Sequence, residues 1–187
     1  MIKKEKFVVL DNIRSVFNVG SIFRTADALG VTKIFLCGCT PTPKDRFGRK
    51  RKDLAKVALG AEESVAWEYF ESVEKLLLSF RRRPESISSV IASEAKQPRK
   101  LKMDPDLRRD DKRGIQIIAL EQNQKSIDYK KVKAKYPTAI ILGEEVHGLS
   151  QKILNLADII AEIPMQGKKE SLNVSVSFGV AGFRIFC

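Results

Sequence analysis

At 187 residues, with 43% apolar and 30% charged positions, the chain suits one domain with a substantial core. No apolar run nears the ~20 residues that span a bilayer, and three cysteines without CxxC spacing beside one histidine complete neither a zinc set nor a disulfide framework, which argues against membrane insertion, metal chemistry and a hydrolytic triad and places the protein in the cytoplasm. The net charge of +11, with pI near 9.7, favours a polyanionic partner such as nucleic acid; the plainer alternative is a lysine-rich surface that only keeps the chain soluble.

The first strand is Lys6 to Leu10. After the loop 11–17, Asn18 stands as an N-cap for a helix from Val19 to Leu29 with Ile22, Ala26 and Leu29 on one face, and Gly30 stops it. That helix N-terminus faces the ligand side of a sheet and suits a phosphate, with Arg24 nearby. Equally, Asn18 is only a cap and Arg24 a solvated side chain. Residues 31–37 form a second buried strand, and Cys37 and Cys39 at its end read as small apolar fillers.

The stretch 44–56 carries seven basic residues against two acidic ones, with Phe47 and Gly48 inside it. Arg46, Arg49, Lys50, Arg51 and Lys52 are therefore candidates to grip an RNA backbone, the alternative being a solvated helix start. A strand at 65–70 and a helix at 73–80 follow, with Trp67 and Tyr69 read as packing residues. From 81 to 113 the text turns Ser-rich and charged with three prolines, and its low hydrophobicity predicts a flexible insertion within the single domain 1–187.

Residues 114–121 resume the sheet, 122–137 make a polar connection, and Thr138 to Leu142 is an unbroken apolar run of the kind a buried parallel strand requires. It ends in Gly143-Glu144-Glu145-Val146-His147-Gly148-Leu149-Ser150. A further buried run, 158–163, stops at Pro164, and a polar loop leads to a small-residue helix opening at Ser171. Two glycine turns at the carboxyl ends of adjacent parallel strands form a crevice of the type in which open α/β sheets bind ligands. Neither a Walker lysine nor a GxGxxG fingerprint is present. Apolar walls at Leu120, Leu142, Ile163, Met165 and Leu172, with free main-chain groups beside them, instead suit a flat uncharged adenine.

LGxExxGLS from Leu142 to Ser150 and IPMxGxxxSLNVSVS from Ile163 to Ser177 together resemble the second and third motifs of the SpoU (TrmH-like) class of SPOUT RNA 2′-O-ribose methyltransferases. Asn18, six residues before Arg24 and an Ala-Leu-Gly, is similar to the first. The resemblance implies a parallel-sheet SPOUT fold whose C-terminal segment is tied as a trefoil knot, although general topology rules predict none. It also implies S-adenosyl-L-methionine bound at Leu120, Leu142, Gly143, Gly148, Ile163, Met165, Ser171 and Leu172, largely by main chain. Arg24 would act on the ribose 2′-hydroxyl, by charge rather than as a base because a guanidinium does not deprotonate at neutral pH.

Asn18, Glu145, Ser171 and Asn173 would complete the catalytic set. Glu145 reads equally as a loop brace, and Ser171 and Asn173 as caps. RNA is the implied partner, transfer RNA rather than ribosomal RNA, and the protein is expected to be a homodimer packed through its first and last helices. The competing account is a noncatalytic RNA-binding module on the same fold.

Overall fold

The computed structural model describes residues 4–81 and 114–187. Seven strands form one sheet in the order β3-β2-β1-β6-β4-β7-β5, and every neighbouring pair is parallel. They are β1 (Lys6–Asp11), β2 (Lys33–Cys37), β3 (Ala66–Phe70), β4 (Gln116–Leu120), β5 (Ile127–Asp128), β6 (Thr138–Leu142) and β7 (Ile159–Glu162). The strand β6 inserts between β1 and β4, and β7 then lies on the far side of β4. The expected insertion at 81–113 lies outside the described residues, apart from Arg81 at the end of a helix.

The strands are apolar on consecutive positions because both faces of the sheet are covered. Val8, Leu10, Ile34, Leu36, Ile118, Leu120, Ile140 and Leu142 point to one side. They meet α1 (Val16–Ala28), α2 (Lys52–Ala58), α3 (Ala61–Ser64) and the C-terminal helix Val174–Phe186, whose Phe178 is fully buried. Their neighbours Phe7, Val9, Phe35, Ile117, Ala119, Ala139 and Ile141 point the other way, against α4 (Val73–Arg81) and the helix Gln151–Leu156. No helix among the described residues is long and apolar enough to cross a membrane.

Several element boundaries differ from the sequence reading. The first helix begins a turn early, since the Ser15 hydroxyl accepts from the Asn18 N–H at 3.3 Å, so Ser15 is the cap and Asn18 a first-turn residue. Its end matches, with Gly30 N–H bonded to Asp27 O at 3.0 Å and Val31 N–H to Ala26 O at 2.9 Å. The last helix starts at Val174 rather than Ser171, because the Asn173 carboxamide oxygen accepts from the Ser175 N–H at 2.9 Å. The connection 122–137 contains β5 and a 3-10 turn at Tyr129–Lys131. Of the two cysteines read as fillers, Cys37 is buried and burial pushes its thiol up, but Cys39 is exposed. Trp67 packs half-buried against the core, whereas Tyr69 stands exposed on the edge strand.

The turn between β1 and α1 sets where the first motif stands. The Thr40 hydroxyl, buried beyond β2, accepts from the Ile13 N–H at 3.1 Å and can donate to Cys37 O at 2.7 Å. A buried hydroxyl satisfied in this way pins the start of α1 against the sheet edge.

Candidate functional site

In an all-parallel sheet the carboxyl ends of the strands share one edge, and a cavity of about 310 Å³ opens there at β6, β4 and β7. Leu120, opposite Leu142 in register and Ala161 on its other side, forms part of its wall. Leu142, Ile163, Met165 and Leu172 supply further apolar surface, and Gly143, Gly148 and Ser171 line it as well. The structure thus brings together all eight positions that the sequence assigned to the cofactor.

Gly143 has no room for a side chain. A Cβ there would stand 2.6 Å from the carbonyl carbon and 2.8 Å from the oxygen of Gly148, because the loop 144–148 folds back on the strand end. That loop is closed by the Gly148 N–H bonding Glu144 O at 3.1 Å, and Gly148 itself has φ +63°, which glycine adopts at no steric cost.

A carboxylate brace, the alternative reading of Glu145, is provided by another residue, Glu121. Its carboxylate accepts from Leu149 N–H at 2.8 Å and Gln122 N–H at 3.1 Å and presses on Gly148. The adjacent Gln122 donates its side-chain amide to Glu170 O at 2.5 Å. Two consecutive residues at the end of β4 therefore hold both loops of the cavity. A carboxylate directly after a buried strand was the signal for this in the sequence.

Glu145 and Ser171 line the cavity, and Glu145 makes a different contact from the one expected. Its Oε1 accepts from Asn18 Nδ2 at 2.5 Å, and Asn18 Oδ1 accepts from Asn173 Nδ2 at 3.0 Å. Asn173 Oδ1 also takes the Ser175 hydroxyl at 2.7 Å, so the chain of contacts ends on the last helix. Three segments separated by 127 and 155 residues are thereby joined by their side chains. Arg24 stands apart from this relay: it is exposed on α1, outside the cavity lining, and has no polar partner among the described residues.

The basic stretch forms a hairpin after β2, with Lys44 and Lys50 bridged antiparallel. Lys50 is paired with Glu63 at 2.6 Å and Arg51 with Asp53 at 2.6 Å, so part of their charge is already answered within the chain. Arg46 and Arg49 lie over the Phe47 ring, and Lys52 is exposed at the start of α2.

The family model described as SpoU rRNA Methylase matches residues 5–111 and 106–183. A tRNA (guanosine(18)-2′-O)-methyltransferase of Aquifex aeolicus is 27% identical over 178 residues, covering 95% of this chain and 67% of that protein. A 23S rRNA (guanosine-2′-O-)-methyltransferase of Ralstonia nicotianae is 30% identical over 176 residues, with coverage of 94% and 56%. This chain thus spans between 56% and 67% of the length of these two relatives. The crystal structure of an AdoMet-bound rRNA methyltransferase from Sinorhizobium meliloti shares the fold, with a TM-score of 0.70 at 24% identity over 97% of this chain and 56% of that one.

The same sheet edge carries a perturbed carboxyl. Burial pushes Asp11, at the end of β1, from 3.8 up to about 6, with Glu74 and Glu144 adding repulsion against a lowering hydrogen bond from Asn12. The folded protein then keeps this proton up to about pH 6 while the unfolded chain releases it near 3.8. Stabilisation from the group is full below the lower value and is lost as pH rises through the upper one. Urea unfolding of the Asp11→Asn variant should lack this decline, so its advantage over the wild type grows between pH 3.8 and about 6 and is constant above.

Proposed function

Because the chain belongs to the SpoU rRNA methylase family, we propose that it transfers a methyl group from S-adenosyl-L-methionine to a ribose 2′-hydroxyl of RNA. Transfer RNA is the substrate we favour, as for the Aquifex relative, and the cytoplasm is the compartment we favour for this work. The observation that carries this reading is the Glu145–Asn18–Asn173 relay beside a glycine-cradled cavity. A bare RNA-binding module has no need of side chains from three distant segments joined at a pocket's mouth. The insertion of β6 between β1 and β4, with β7 beyond, suits the threaded trefoil knot of this class.

The cavity fits the cofactor on its own terms. Apolar walls at Leu120, Leu142, Ile163, Met165 and Leu172 match an adenine, and Gly143 and Gly148 let the loop 144–148 and the Glu121 carboxylate close tightly against the end of β6 so that main chain borders the cavity. When bound, S-adenosylmethionine supplies an electrophilic methyl on a sulfonium centre. The protein's task is then to orient the 2′-hydroxyl and steady the negative charge that grows on its oxygen. Arg24 is the residue for that charge, being a permanent cation with no internal partner among the described residues. Asn18, Glu145, Ser171 and Asn173 hold the surrounding loops and meet the target nucleotide.

A homodimer accounts for Arg24 standing outside its own chain's cavity. The C-terminal helix exposes Val176, Val180 and Phe183, the last by 51%, at the four- and three-residue spacing of a single stripe. On the adjoining α1, Phe17 is 72% exposed and Arg24 follows it two turns later on the same face. A second copy covering these stripes would bring Arg24 to the subunit boundary. Phe183→Glu should convert a dimer to monomers in sedimentation experiments, and an unchanged sedimentation coefficient would remove this interface.

The catalytic reading is tested with methyl-labelled S-adenosylmethionine and tRNA. Label should be recovered as a 2′-O-methyl nucleoside, and Arg24→Ala should lower kcat by about 100-fold or more with little change in cofactor affinity. A cofactor-bound wild type that labels no RNA would leave the noncatalytic module as the better account.

A further inference from the structure

The basic hairpin holds an aromatic side chain that its own fold does not use. Phe47 is 67% exposed and belongs to neither face of the core. The backbone that carries it is nonetheless fixed: the Asp45 carboxylate accepts from Phe47 N–H at 2.8 Å and Arg49 N–H at 2.9 Å, and Asp45 N–H donates to Arg49 O at 2.9 Å. The base of the hairpin is closed by Arg51 N–H on Pro43 O at 2.9 Å. Over the ring stand the guanidinium carbons of Arg46 at 4.8 Å and Arg49 at 5.4 Å.

An aromatic ring carried into water by an ordered turn, with two guanidinium groups against it, presents π surface and positive charge in one place. Unpaired nucleobases stack on such surfaces, aromatic or guanidinium, while the adjacent phosphate is met by the cations. A continuous duplex keeps its bases stacked within and offers only its backbone. Because the turn is already ordered, little conformational entropy is lost on binding.

The hairpin also stands in a useful place. It leaves the carboxyl end of β2, at the edge that carries the cavity, with β1 alone between β2 and β6. Two strand spacings are about 10 Å, within the span of a few nucleotides.

We propose that Phe47, with Arg46 and Arg49, is a stacking platform for an unpaired base of the RNA substrate, set beside the cavity so that the enzyme prefers looped or single-stranded RNA to uninterrupted duplex. This rests on the reading of the protein as an RNA methyltransferase. The hairpin's cations thus divide their work, since Lys50 and Arg51 are tied to Glu63 and Asp53 while Arg46 and Arg49 are committed to the ring.

The test is equilibrium binding of a fluorescein-labelled unstructured oligoribonucleotide and of a blunt RNA duplex of equal length. Phe47→Ala should weaken the single strand about tenfold or more and leave the duplex unchanged, and Phe47→Trp should restore the preference. The double variant Arg46→Ala and Arg49→Ala should weaken both and flatten the salt dependence. Equal single-strand affinity of Phe47→Ala and wild type would overturn the proposal, as would parallel losses on both RNAs, which would mark Phe47 as structural.

Titration of the same samples with S-adenosylhomocysteine separates the two readings. Unchanged binding in Phe47→Ala with a lost strand preference supports the platform. A wild type that binds neither RNA ends the platform and the RNA reading together, whereas one that keeps the strand preference but binds no S-adenosylhomocysteine removes only the enzyme.

Discussion

Two side-chain hydrogen bonds, from Asn18 to Glu145 and from Asn173 to Asn18, are the constraint on which the site depends. Each is open to solvent, and a bond of that kind contributes only about 0.5–1.5 kcal/mol. They cannot assemble the fold. What they can do is select, among the positions open to three exposed segments, the one in which those segments share a cavity mouth. The large free energy comes from the sheet, whose central strand β6 is buried along its whole length between two helical layers. Burying a single side chain such as Ile140 or Ile141 contributes roughly 1.5–3 kcal/mol, about as much as the whole relay.

That division of labour explains the distribution of residue types. The interiors of β4 and β6 carry only apolar residues, and the residues that follow their carboxyl ends, Glu121 and Gly143, are polar or glycine. Gly143 admits the returning backbone of Gly148, while Glu121 and Gln122 fix the two loops that face each other across the cavity. The carboxyl edge also collects acidic groups at Asp11, Glu74 and Glu144, which are answered in part by Arg14, 3.6 Å from Glu144, and by His147, 2.8 Å from its other oxygen. RNA, itself a polyanion, meets less repulsion along this edge than three free carboxylates would give, because Glu144 is paired with Arg14 and Asp11 is held toward the neutral form.

The strand β6 was legible to the residue because an unbroken apolar run, Thr138 to Leu142, ends at a glycine. The cavity walls followed from the same logic, since the residues closing parallel strands must share an edge. Other features had no local signal. Ser15 and Asn18 are both good caps, and which one serves depends on the chain entering α1 from the Thr40 contact, a tertiary fact. With two residues, β5 is too short to display any period. The relay joins residues more than 120 apart, so only the family resemblance pointed to its members, and Glu121, which braces the loop, lies outside the motifs. Phe47 was visible in the basic stretch, but its placement beside two guanidinium groups depends on the Asp45 turn.

The central claim is that the edge formed by β6, β4 and β7 holds S-adenosylmethionine in a cavity whose shape depends on Gly143 admitting the returning loop 144–148. Calorimetric titration with S-adenosylhomocysteine tests it most directly, using wild type, Gly143→Ala and Glu121→Ala. The account predicts saturable binding to wild type, its loss in Gly143→Ala, where one added carbon meets the Gly148 backbone at 2.6 Å, and weakening in Glu121→Ala, with all three still unfolding cooperatively. A folded wild type that takes up no heat-detectable ligand, or a Gly143→Ala variant that binds as tightly as wild type, would contradict it.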